Sequence, residues 1–216
     1  GTEYLFYIIF KLFNNEIYGL ENPCHKMFKE LFLTNNVSFK AISLDEAGVV
    51  VEELKKYNVN IAYVTPSHQF PTGTIMSISR RTELLNWANE NPDRYIVEDD
   101  YDSEFKYTGR PIPALKATDI NDKVIYLGSF SKSISPAIRV SYLVLPKALL
   151  NIYQRKLPYF ICPVPTLNQK ILYKFIKDGH FVKHINKMRT LYKKKREFLV
   201  NTIKMYSSKI LDKEIY

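Results

Sequence analysis

The sequence predicts an α/β fold in which a mostly parallel sheet is flanked by helices. Three observations lead there. Short apolar, β-rich runs alternate with longer stretches of helical period, the rhythm of strand–helix–strand units. Polar clusters follow several of these runs, where open α/β sheets bind ligands. The last two strand candidates are separated only by residues 129–139. That is too short for a helical crossover, so this pair is expected to run antiparallel.

The elements follow in order. YLFYIIF (4–10) is a short apolar start without a basic n-region or a small-residue cleavage site, so it is not a signal peptide. Strands are expected at IYGL (17–20), FKAISL (39–44), NIAYV (60–64), RYIV (94–97), KVIYLG (123–128) and VSYLVL (140–145). EAGVVVEELKKY (46–57) and ISRRTELLNWANEN (78–91) read as amphipathic helices. In the second, Ile78, Leu84, Leu85 and Trp87 or Ala88 fall near one side. The texture changes after Pro146. A helix begins at KALLNIYQRK, PYFICPVP breaks it, and helical patterns then run from Thr166 to Lys213. The organisation is therefore a sheet domain over residues 1–150, then an interdomain helix and the start of a further domain over 151–216.

Composition narrows the classes. The chain of 216 residues is 46% hydrophobic, enough for one substantial core. No run of 18 apolar residues exists, which excludes a transmembrane helix. Two cysteines, Cys24 and Cys162, form no metal-like pair, and a reducing cytoplasm suits them. Net charge is +9. The basic segment HINKMRTLYKKKREFL reads as a solvated helix face with Met188, Leu191 and Leu199 among its lysines.

Against that basic background, EDDYDSEF (98–105) crowds five carboxylates behind a strand: Glu98, Asp99, Asp100, Asp102 and Glu104. Such groups need a cation, a proton or hydrogen-bond donors. Asp100, Asp102 and Glu104 have the one-three-five spacing of a calcium loop. Phe105 and Pro111 then stand where that loop needs Gly and Glu, which argues against it. A D-x-D site for Mg²⁺ leaves Lys132 and Arg139 unexplained, and no metal is assigned. TPSHQFPTG (65–73) and SFSKSISPAIR (129–139) follow other strands and are expected to converge with the acidic stretch along one sheet edge. In the latter, hydroxyls, exposed amides and Arg139 suit a phosphate. Lys132 serves there as a point charge or as an amine nucleophile; the bland alternative is a surface serine loop. An aspartate, a lysine and a Ser/Arg phosphate cup are the set that pyridoxal phosphate needs, because its pyridinium nitrogen wants a carboxylate and its aldehyde an amine.

Together, TPSHQFPTG, RR followed by LLNWA, EDDYDSEF, PIPAL, VIYLGSFSKSISPAIRVSYLVLP and GHFVKHINKMRTLY resemble the aminotransferase-like domain of MocR-type regulators, in the GntR family of bacterial transcription factors. More broadly they resemble the large domain of PLP-dependent transferases of fold type I, aspartate aminotransferase-like, with a seven-stranded sheet. The resemblance implies that Lys132 forms an aldimine with pyridoxal phosphate, that Asp99 pairs with the pyridine nitrogen and that Tyr101 bonds the phenolic oxygen. It implies that Ser129, Ser131 and Arg139 hold the phosphate, with Gly1 and Thr2 the remains of a second phosphate loop. His68 and Gln69 lie where related enzymes place polar groups near the ring. Asp102 and Glu104 are expected in structural hydrogen bonds or salt bridges, and Asp100 is unassigned. After ENP the family commonly has Gly-Tyr, its tyrosine stacked on the ring. Here Cys24-His25 stand instead, and His25 either stacks or lies at the surface. Glu3 replaces a frequent Gln.

The same resemblance implies a winged helix-turn-helix domain ahead of Gly1 and the rest of a small domain beyond Tyr216, so the chain is expected to be a fragment cut at both ends. DNA would be bound only through the missing domain. A homodimer, an amine or amino-acid effector or substrate, and no membrane contact are expected. Two functions share the apparatus: a sensor whose cofactor state alters DNA binding, favoured by HQFP in place of the NPTG loop of true aminotransferases, and an active aminotransferase. A third reading is a vestigial domain that folds and dimerises without cofactor.

Overall fold

The structure, a computed structural model, describes residues 1–105 and 112–211, with only backbone for the last four. It divides into two compact units. One holds residues 1–103 and 112–162; the other holds Glu104, Phe105 and the chain from Pro163 onward.

The first unit is built on seven strands: β1 (Tyr18–Asn22), β2 (Phe39–Asp45), β3 (Gly48–Val49), β4 (Ile61–Val64), β5 (Tyr95–Asp100), β6 (Val124–Ser129) and β7 (Ser141–Val144). Their order is β3-β2-β1-β4-β5-β6-β7. The five strands from β2 to β6 run parallel to their neighbours. β7 is antiparallel to β6, as its short connection predicts. β3 is antiparallel to β2 at the other edge.

β3 and the helix after it correct the sequence reading. EAGVVVEELKKY does not form one helix. The Asp45 carboxylate accepts from the N–H groups of Ala47 (2.8 Å) and Gly48 (3.1 Å), which turns the chain back. Gly48 sits at φ +124°, a conformation that costs glycine nothing. The helix α3 then starts at Val51 (Val51–Lys56).

Helices cover both sheet faces because alternate strand residues point to opposite sides. Ile61, Tyr63, Val97, Ile125 and Leu127 pack under α1 (Thr2–Leu12), α2 (Lys26–Thr34) and α7 (Lys147–Lys156). Ala62, Val64, Ile96 and Val124 pack under α3, α4 (Ile78–Asn89) and α5 (Leu115–Thr118). The apolar start YLFYIIF is thus the buried face of α1. In α4 the inner positions are Arg81, Leu84, Trp87 and Ala88, whereas Ile78 is 69% exposed, against the sequence reading. Arg81 sits inside because its guanidinium is saturated by carbonyls: Met76 O (3.0 Å), Pro66 O (2.7 Å) and Pro113 O (2.9 Å). These bonds fasten the loop after β4 to the body of the unit.

A short α6 (Phe130–Ser133) and a 3-10 turn (Pro136–Ile138) join β6 to β7. Gly128 lets the Tyr142 ring, its partner on β7, lie over the strand: a Cβ there would come within 2.2 Å of that ring and push it aside. The second unit contains α8 (Thr166–Lys177) and α9 (His180–Leu211); the last two helical positions the sequence suggested, 212 and 213, lie outside the described residues. Within that unit Phe105 meets Tyr192 edge-on (5.2 Å). No helix among the described residues is long and apolar enough to cross a membrane.

Phe32 is fully buried and touches four rings: Phe6, Phe10, Tyr18 and Phe39. Phe32→Ala should cost about 3–5 kcal/mol of unfolding free energy in urea denaturation. A loss below about 1 kcal/mol would show that this aromatic layer repacks freely.

Candidate functional site

In parallel strands the carboxyl ends share one edge, and β1 stands at the point where strand order reverses, since β2 and β4 flank it. Ligands bind in the crevice beyond such a switch. A cavity of about 300 Å³ opens there, at the small end of the usual range for small-molecule sites. Its walls come from the ends of β1 (Glu21), β4 (Tyr63, Thr65), β5 (Asp99, Tyr101) and β6 (Ser129, Ser131, Lys132), with Thr2 and Arg139 completing one side. His25, Phe28 and Phe70 form an aromatic wall.

The three clusters singled out in the sequence therefore meet. Of the expected site residues, Lys132, Asp99, Tyr101, Ser129, Ser131, Arg139, Thr2 and His25 line this cavity. Gly1 and His68 do not. The Gly1 amine donates to the carbonyl of Arg139 at 3.3 Å. The His68 ring is turned to Asp102 (Nδ1–Oδ1 2.7 Å). Tyr101 donates its hydroxyl to the His68 carbonyl at 2.7 Å, and its ring lies under Lys132 Nζ, 4.5 Å from the centroid.

Alternation on β5 sorts the acidic stretch. Asp99 points to the face of Tyr63, whose hydroxyl donates to Oδ2 at 2.8 Å. Burial pushes the Asp99 carboxyl up to about 6; the Tyr63 hydrogen bond opposes this, Asp100 and Asp102 add to it, and Lys132 opposes it. Glu98 points the other way and accepts from the N–H groups of Leu115 (2.8 Å) and Lys116 (2.9 Å). Asp100 accepts from Tyr126 (2.7 Å) and from the Ser103 hydroxyl (2.6 Å). Asp102, as expected, is in a structural bond. So Asp99 faces the cavity, while Glu98, Asp100 and Asp102 are consumed by partners elsewhere.

On the far side, hydroxyls gather. The Ser131 N–H donates to Ser129 Oγ (3.2 Å), Ser141 donates to the same oxygen (3.4 Å), and Thr2 Oγ1 lies 3.5 Å from Ser141 Oγ. Arg139 is tied only loosely, to Glu3 at 3.4 Å, with both side chains about half exposed. Such a surface pair is worth little, which leaves the guanidinium free to take a better anion.

His25 caps α2, its Nδ1 accepting from the Met27 N–H at 3.1 Å, and its ring lies 5.0 Å from that of Phe70. Several lining residues escaped the sequence reading, Tyr63 and Glu21 among them. Tyr63 was hidden inside an apolar strand, where only its inward parity marked it. Glu21 ends β1 as Asp99 ends β5; it is buried, accepts from the Thr65 hydroxyl (2.6 Å) and N–H (3.2 Å) and from Gln69 (3.3 Å), and is pushed up to about 7 by burial.

Residues 7–215 match the family described as aminotransferase class I and II. The chain is 42% identical over 204 residues to the uncharacterised HTH-type transcriptional regulator YdeL of Bacillus subtilis (strain 168), covering 94% of this chain and 44% of that protein. It is 31% identical over 202 residues to the probable rhizopine catabolism regulatory protein MocR of Rhizobium meliloti, covering 93% and 41%. It superposes on the crystal structure of Pyrococcus horikoshii kynurenine aminotransferase in complex with PMP with a TM-score of 0.82 and 30% identity, covering 94% and 53%. The chain thus spans less than half the length of these two curated relatives.

Burial also pushes Glu98 up to about 7. Glu21, Glu98 and Asp99 therefore hold protons more tightly folded than unfolded. Between their ordinary range near pH 4 and their folded values of about 6 to 7 the native state binds more protons, so raising the pH through that window removes stability. Without cofactor, the unfolding free energy should fall from about pH 5 to about pH 8, and Glu98→Gln should flatten part of that slope. Equal slopes in the two proteins would contradict this assignment.

Proposed function

Since this chain belongs to the aminotransferase class I and II family, we propose that it is the pyridoxal phosphate-binding sensor domain of a bacterial transcriptional regulator. The observation that carries the reading is the placement of Asp99 and Lys132 on one small cavity beside a cup of hydroxyls and a guanidinium.

The donor set fits the cofactor. Asp99 is a buried acid with one hydrogen bond, suited to a ring cation. Lys132 supplies an amine, and Ser129, Ser131, Thr2 and Arg139 would hold the phosphate. Tyr101 would face the phenolic oxygen. Its hydroxyl is at present on the His68 carbonyl, so that bond would be shared or exchanged. His25 and Phe70 would wall the ring. When bound, pyridoxal phosphate supplies an aldehyde that condenses with amines and a protonated ring that withdraws electrons. Asp99 would keep a proton on the ring nitrogen, Lys132 Nζ would supply the amine for the aldehyde carbon, and the aromatic wall would exclude water.

Sensing is favoured over turnover because the YdeL and MocR relatives, both named as regulators, align with more than nine-tenths of this chain. In the whole protein DNA would be bound by a separate domain, an amine or amino acid would be the effector, and the working unit would be a cytoplasmic homodimer. The likeness to kynurenine aminotransferase supports a second reading, an active aminotransferase, in which Lys132 Nζ moves a proton on the substrate.

Adding pyridoxal phosphate should produce the visible absorbance band of an amine-captured pyridoxal. Lys132→Ala should abolish the band, and Asp99→Asn should weaken binding about tenfold or more. No band in the unaltered chain would overturn the cofactor reading. In the full-length protein, amine-dependent DNA binding without turnover of amino donors identifies the sensor; turnover identifies the enzyme.

A further inference from the structure

Asp99 is held by a neighbour that no motif announces. Tyr63 lies on β4, next to β5, with its ring buried between Phe6 (5.2 Å) and Phe28 (5.0 Å) and its hydroxyl 2.8 Å from Asp99 Oδ2. Among the described residues this is the one hydrogen bond to the Asp99 side chain. Burial keeps the Tyr63 phenol far above its ordinary range, so it remains a donor at every working pH.

We propose that Tyr63 is a positioning residue that occupies one oxygen of Asp99, aims the other at the cofactor's ring nitrogen and keeps Asp99 ionised at neutral pH. The proposal rests on the cofactor reading above and deepens it. A buried carboxylate without a donor takes up a proton, and a neutral acid cannot hold a pyridinium. The charged and titratable groups around Asp99 divide. Glu21 on β1, Asp100 beside it and Tyr101 and Asp102 after it bring negative charge or none. Lys132 on α6 brings a cation, as does Arg139 on the same cavity wall, and the Lys132 amine is the group expected to be consumed by the cofactor. Once it is consumed, the Tyr63 hydrogen bond and the ring cation itself are left to favour the ionised form.

The test is the pyridoxal phosphate dissociation constant as a function of pH for the unaltered chain, Tyr63→Phe and Asp99→Asn. The isosteric Tyr63→Phe should bind about tenfold more weakly near pH 6.5 and within about twofold near pH 8.5. The midpoint of its affinity profile should lie about one pH unit higher, and Asp99→Asn should flatten the profile. A profile of Tyr63→Phe that overlays the unaltered chain, or is weakened equally at every pH, overturns the proposal. A second measurement needs no cofactor: the part of the pH-dependent unfolding free energy that Asp99→Asn removes should shift upward in Tyr63→Phe. Absence of binding in the unaltered chain would sink the cofactor reading alone, whereas an unshifted unfolding profile would sink the role of Tyr63 alone.

Discussion

Taking a carboxylate out of water is costly, and β5 alone does it three times at one sheet edge. The cost is contained because each of these acids meets a hydrogen-bond donor, a backbone amide or a tyrosine hydroxyl on a neighbouring strand. Glu98 is held by two amides at the start of α5, Asp100 by Tyr126 across β6, and Asp99 by Tyr63 across β4. All three pairings depend on strand register. Tyr63 pairs with Val97 and Val64 with Glu98, and Val97 pairs with Ile125 on the other side. A slip of one residue would send Asp99 toward α5 and Glu98 into the cavity. The chemistry of the site and the register of the central strands are therefore one constraint.

Much of this was legible beforehand. Six strands and their mostly parallel sense follow from period and spacing, and the brief SFSKSISPAIR connection fixed the sense of β7. β3 was not legible, because two residues within a valine-rich run carry no period of their own; Asp45 and Gly48 make the turn. Ile78 seemed an inner residue by hydropathy, but Arg81 took the place, since three carbonyls satisfy it better than water would. Within the site, residues of unusual type for their surroundings stood out: Asp99 behind a strand, Lys132 among serines, Arg139 after a proline. Tyr63 did not, because a tyrosine in a strand looks like core until its hydroxyl finds a partner. His68 was placed near the ring by resemblance, yet Asp102 draws its imidazole aside. Parity along a strand can be read from sequence; the competition among neighbours for one donor cannot.

The aromatic layer behind the cavity is also the packing layer between sheet and helices. Phe6 of α1 and Phe28 of α2 both pack on the ring of Tyr63, while its hydroxyl meets Asp99. Core and site share residues, so the wall that receives a ligand is as rigid as the interior that supports it.

The cavity draws its walls from four separate strands, whose neighbours in space are distant in sequence. No short segment of chain carries the whole of it. Such long-range pairings form late and together in folding. A molecule seated there acts as a rivet through the whole edge, and mass action turns its concentration into resistance to unfolding. Were the proposed cofactor the molecule seated there, its supply would set resistance to unfolding as well as occupancy.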